Sequence, residues 1–181
     1  MHPSLQDPLQ ELDAELAQLL AELKNYTHQQ LNSIPSPGSW SAIQVMHHLL
    51  IAEELSFKYL QKKLSFNPSL QKANWRTRLR QSFLAFYLHT PIKFKAPKGV
   101  STPAFPREAT LIDTAKRWTS NREALAEYLN ELPPEILDKE AYRHPIAGRL
   151  TVKGMLSFFR DHFDRHRKQI NRTLDTVARQ A

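Results

Sequence analysis

Residues 160–170 read "RDHFDRHRKQI", with His162 and His166 four residues apart. On an α-helix, positions i and i+4 stack one above the other on the same face, about 6 Å apart. Followed outward, the same face continues at spacings of three and four through Val152, Met155, Phe159, His162, His166, Ile170, Thr173 and Val177. That pattern predicts a helix from Val152 to about Val177 with one buried stripe. Thr151 precedes it as a good N-cap. Two imidazoles therefore fall where the neighbouring turns place Phe and Ile. Burying them is costly unless something satisfies their nitrogens.

Three further long helices are expected. Leu9, Leu12, Leu16, Leu19, Leu23 and Tyr26 form one stripe over residues 9–31, ended by "NSIPSPGSW" at 32–40 with its two prolines and glycine. Ser39 or Ser41 can cap a second helix whose stripe is Val45, His48, Ala52, Leu55 and Tyr59, running to Lys63 or Leu64. A third starts near Glu108 or Ala109, shows Leu111, Ala115, Trp118, Arg122, Leu125 and Leu129 on one face, and stops at "LPPE". Between the second and third lies "KANWRTRLRQSFLAFYLH", residues 72–89, a shorter helix expected to turn Trp75, Leu79, Phe83 and Phe86 inward. "TPIKFKAPKGVSTPAFP", residues 90–106, has four prolines and reads as an extended surface segment anchored by Ile92, Phe94 and Phe105. Strand signals are almost absent. The expected fold is all-α: an up-down four-helix bundle with an extra short helix and an extended basic insert between helices two and three. At 181 residues it is read as one domain, 1–181.

Composition narrows the chemistry. There is no cysteine, so disulfides and thiolate metal sites are excluded, and any metal must be held by His, Asp or Glu. The start lacks a basic segment followed by an apolar run, so no signal peptide is expected, and a cytoplasmic protein is the default. No apolar stretch approaches roughly 18 residues, so no membrane span or membrane partner is expected. The net charge of +7 is unevenly spread: residues 55–107 hold eleven Lys and Arg and no acid. A block of that sign attracts anions. Its simplest reading is a solvated basic face, since no nucleic-acid-binding motif accompanies it.

On spacing alone a His pair at i and i+4 is a common core feature. The third residue is His48, on the inward stripe of helix two. Its neighbour His47 falls in a row with Ile43, Leu50 and Glu54, nearer the flank. Three histidines from two helices, all on core stripes, suit one divalent ion such as zinc or nickel. Three protein ligands leave coordination positions open for water or substrate, as in reactive rather than purely structural sites.

Two stretches resemble the DinB-like superfamily. "WSAIQVMHHLLIAEE", residues 40–54, is similar to that family's second-helix motif, with His48, Leu49 and Glu53 filling its His-Leu-acid places. "HPIAGRLTVKGMLSFFRDHFDRHRKQI", residues 144–170, resembles its fourth helix with the preceding His-Pro and Gly. The resemblance implies a four-helix bundle, often dimeric, with a nickel- or zinc-binding His triad at His48, His162 and His166, the same three that spacing selects. Some members of that family are transferases that use low-molecular-weight thiols.

The first functional expectation is a metal-dependent thiol S-transferase or hydrolase acting on a small molecule, with no residue assigned a catalytic role. Arg122 fits either a substrate-carboxylate holder or a side chain snorkelling at the rim. Glu53 fits either an imidazole-orienting partner or an exposed helix residue. The alternatives are a polyanion-binding module using Arg76, Arg78 and Arg80 beside Trp75, and a bundle that its metal only stabilises. Trp40 and Trp118 read as core, His144 as structural, and His89 as a cation at a helix C-terminus.

Overall fold

The computed structural model describes residues 3–90 and 105–180. The chain is mostly helical: α1 is Pro3–Leu23, α2 His28–Asn32, α3 Ala42–Ser65, α4 Trp75–His89, α5 Leu111–Glu131 and α6 Val152–Gln180. A small antiparallel hairpin, β1 Tyr142–His144 and β2 Gly148–Leu150, precedes α6 in register Tyr142 with Leu150, Arg143 with Arg149 and His144 with Gly148. Three-residue strands are too short for a period-two pattern to stand out in sequence, and so the hairpin was not expected.

Local chemistry sets the helix ends. The first helix was expected over 9–31, but it begins at Pro3 and stops at Leu23. Asn25 donates to the Glu22 carbonyl, and Thr27 starts a new short helix through a reciprocal capping box with Gln30. Ser41, one of the two candidates, caps α3 in a capping box with Gln44. Thr110 caps α5 by accepting from the Asp113 N–H, so the helix begins at Leu111, two residues after Ala109. Thr151 Oγ1 accepts from the Gly154 N–H at the start of α6, as the sequence suggests.

Helix α3 packs on α5 and α6, and α1 packs on the same two. One apolar cluster gathers Leu5, Leu9, Leu12, Phe57, Leu60 and Phe159, and another gathers Leu16, Leu19, Ile43, Leu50, Trp118 and Phe163. Each such side chain, fully buried, contributes about 1.5–3 kcal/mol of transfer free energy. The N-terminal half of α3 is enclosed on almost every side, from Ala42 through Glu53. Further along, Leu55 and Tyr59, expected inside, are 46% and 37% exposed.

Helix α4 lies on α6 with the opposite face from the one expected. Trp75, Leu79, Phe83 and Phe86 are exposed, whereas Thr77, Leu84 and Leu88 are buried. Polar pairing fixes this rotation. Thr77 Oγ1 donates to Glu140 Oε1 at 2.6 Å and Gln81 Nε2 donates to Thr151 Oγ1 at 3.2 Å. Gly154 opens the space for Gln81: a β-carbon there would stand 2.2 Å from Gln81 Nε2. At the other end Arg165 Nη1 donates to the carbonyls of Leu88 and Thr90, 2.8 and 2.6 Å away. The anchors Ile92 and Phe94 of the expected extended segment lie outside the described residues.

Candidate metal centre

The three histidines selected from spacing come together. One ring nitrogen from each of His48, His162 and His166 lies within 4.8 Å of the other two, His48 supplied by α3 and the others by α6. Nε2 of His48 and Nε2 of His162 are 3.1 Å apart. Two nitrogens bound to one ion at about 2.0–2.1 Å are themselves about 3 Å apart, so this separation fits a shared coordination sphere. The ring centroids stand 4.9 Å (48–162), 4.6 Å (48–166) and 4.6 Å (162–166) apart.

Neighbouring side chains fix how the rings point. His166 Nδ1 bonds the amide oxygen of Gln169 at 2.8 Å. An amide oxygen only accepts, so the proton is on Nδ1 and the Nε2 lone pair is free for a cation. Phe158 stacks on His162 with centroids 5.1 Å apart. Trp40 and Phe105 stand against His48 at 5.2 and 6.3 Å. Burial pushes the His162 imidazolium far below the ordinary His range, and the neighbouring His166 and His48 add to the shift. Burial, then His48, lowers His166 to about 3. Both rings are therefore neutral at pH 7 and present lone pairs, the form a divalent metal requires. The donor set is all imidazole nitrogen, which suits zinc, nickel, copper or iron rather than calcium or magnesium.

Two other buried histidines have their own tasks. His144 Nδ1 accepts from the backbone N–H groups of Ile146 and Ala147, both at 3.2 Å, which closes the hairpin and leaves the ring proton on Nε2. Burial depresses it to about 4. Its expected structural role thus has a specific form. His47, expected near the flank, is buried because α5 covers that side of α3. The Thr114 hydroxyl donates to the Thr110 carbonyl, so His47 Nε2 donates to Thr114 Oγ1 at 3.3 Å. Among the described residues His47 Nδ1 is then a buried lone pair with no hydrogen-bond partner.

Arg122 and Glu53 belong to neither role considered for them. Both are buried, and they pair with each other: Arg122 Nη2 donates to Glu53 Oε1 at 2.8 Å and Nε to Oε2 at 3.0 Å. Trp118 Nε1 also donates to Glu53 Oε2, at 2.9 Å, and Arg122 Nη1 reaches the Leu12 carbonyl. Glu53 bonds no imidazole here, and Arg122 has its guanidinium committed. The pair ties α3, α5 and α1 together.

The family model of the DinB superfamily matches residues 11–170. The chain belongs to the DinB superfamily. The match takes in both quoted motifs and all three residues of the triad. No curated protein and no solved structure matches the chain. Among the described residues no helix is long and apolar enough to cross a membrane. Sequence reasoning missed Gln169 and Phe158 as partners of the triad. Their spacings, three after His166 and four before His162, were available as a signal.

Proposed function

We propose that this DinB-superfamily protein is a metal-dependent enzyme, a thiol S-transferase or hydrolase acting on a small molecule, with zinc or nickel held by His48, His162 and His166. It is read as one domain over 1–181, an up-down four-helix bundle built of α1, α3, α5 and α6, working in the cytoplasm. The convergence of three imidazoles from two helices, within 4.8 Å, is the observation that carries this reading. A divalent ion in such a site lowers the pKa of a bound water or thiol and supplies a nucleophile near neutral pH.

The chain's own residues prepare that site. Gln169 holds His166 in the tautomer that aims Nε2 inward. Phe158, Trp40 and Phe105 wall the rings with apolar surface, which excludes water and strengthens electrostatic interactions inside. Along α3 the ligand-bearing face continues to Leu55 and Tyr59, both open to solvent, which favours a substrate approaching from that side.

Elemental analysis of tag-free protein tests the first half: about one ion per chain is expected, and none in the His48→Ala/His162→Ala/His166→Ala variant. Loaded protein assayed with thiols plus electrophiles, and with esters, tests the second. Stoichiometric metal with no turnover across that panel would refute the enzyme and leave a metal-stabilised bundle. A homodimer is part of the reading, supported by the exposed apolar face of Trp75, Leu79, Phe83 and Phe86. Sedimentation should show a dimer that Phe83→Glu/Phe86→Glu dissociates.

A further inference from the structure

We propose that the corner between the β1–β2 hairpin and the start of α4 is a second binding site, for a small phosphate-bearing anion, held by Arg76, Arg143 and Arg149. A concavity of about 340 Å³ opens there, and four arginines line it: Arg76, Arg80, Arg143 and Arg149. The one carboxylate in its wall, Glu140, is buried and already engaged. It accepts from Thr77 Oγ1 at 2.6 Å and from Arg80 Nη1 at 3.1 Å. That leaves three further arginines lining one cavity, Arg149 bonding Gln71 Oε1 at 3.5 Å and Arg76 lying over the Trp75 ring, and among the described residues none of the three is in an ion pair with a carboxylate of the cavity wall.

The hairpin register sharpens the point. Arg143 and Arg149 are direct cross-strand partners. Like charges placed opposite each other destabilise a strand pair, and two three-residue strands form a sheet with little stability of its own. A dianion between the two guanidiniums turns that repulsion into attraction. Guanidinium forks bind both carboxylate and phosphate two oxygens at a time, but a phosphate has more oxygens to share among three arginines lining one hollow.

Two backbone features complete the cradle. Gly148, at φ 80°, has no side chain to fill the space, and a β-carbon there would sit 4.0 Å from Arg80 Cδ and Nε. The N-terminus of α4, capped by Asn74 at the Arg76 N–H, points its dipole at the same corner. The three arginines line a single hollow, and the ligand proposed for it is a small phosphomonoester or diphosphate rather than a nucleic-acid backbone. This site is independent of the metal centre. Arg165, next to His166, holds the far end of α4, a helix about 22 Å long.

The test is calorimetry and thermal melting of the full chain in low-salt buffer, with inorganic diphosphate against potassium chloride of equal ionic strength. At about ten times its Kd, diphosphate should raise Tm by roughly 3–6 °C beyond the chloride control. Arg143→Gln/Arg149→Gln should weaken binding roughly ten-fold or more, keep its metal content, and melt no lower than the parent without ligand. If that variant does not fold, Arg76→Gln, outside the hairpin, should weaken diphosphate binding several-fold. A diphosphate shift no larger than the chloride shift would overturn the proposal, and so would equal affinity in the folded arginine variants. Salt-sensitive binding of a single-stranded oligonucleotide with no binding of diphosphate would overturn it too, and would make the surface a nucleic-acid track.

Discussion

His48 and Glu53 lie five residues apart on α3, both buried, and they face different neighbours. Glu53 meets Arg122 and Trp118 of α5, where donors and acceptors match. His48 meets His162 and His166 of α6, where three groups of the same kind converge, the Nε2 atoms of His48 and His162 standing 3.1 Å apart. One is a closed polar knot that pairs unlike groups, donor with acceptor. The other gathers three ring nitrogens at one point and can hold a cation. Buried polarity alone therefore does not mark a candidate functional site; the convergence of ligand atoms of one kind does.

The largest effect should come from opening the knot. Arg122→Met leaves the Glu53 carboxylate buried without its counter-charge, and denaturant unfolding should show a loss of about 3–5 kcal/mol. Glu53→Met/Arg122→Met should recover much of it, because burying two apolar side chains leaves no orphaned charge. A double variant no more stable than the single would mean that the pair does more than neutralise itself.

The triad should respond instead to an added ion. In chelator the triple His→Ala variant should melt below the parent, since the rings stack on Phe158 and bond Gln169. Zinc or nickel at about one hundred times its Kd should then stabilise the parent by about 2.7 kcal/mol and the variant by nothing. The chelated parent should also respond to pH. His144 and His166 have folded pKa values of about 4 and about 3, below the ordinary 6.5 of an unfolded chain. Between 6.5 and about 3–4 the unfolded state binds more protons, so stability is full above 6.5 and falls as pH drops through that window. Urea midpoints at pH 7, 6, 5 and 4 (roughly the span of that window) should decline in order. A flat profile would mean that the rings are not buried. The smallest expected effect is Ser41→Ala, which removes the α3 cap for about 1 kcal/mol by chemical denaturation and leaves metal affinity unchanged.

The triad was legible because it needed only helical arithmetic. Spacings of three and four put His162 and His166 on one stripe and His48 on another, and two stripes that both face inward must meet. The knot was not legible for the same reason. Arg122 and Glu53 each fit several roles, and only the relative rotation of α3 and α5 makes them partners. Helix α4 shows the limit most clearly. Periodicity grouped Trp75, Leu79, Phe83 and Phe86 correctly on one face, but Thr77 with Glu140 and Gln81 with Thr151 decided which face turns inward. His47 escaped because α3 is enclosed by α5 as well as α6, and a helix covered on several sides has no flank.

Arg165 bonds the end of α4 immediately beside one imidazole, and Phe105 lays its ring near another. The outer helix and the ligand-bearing helix are thus bolted together one residue from a ring of the triad. A change that displaces the end of α4 pulls on the turn of α6 that carries His166, so the periphery of the protein has a mechanical handle on its innermost imidazoles.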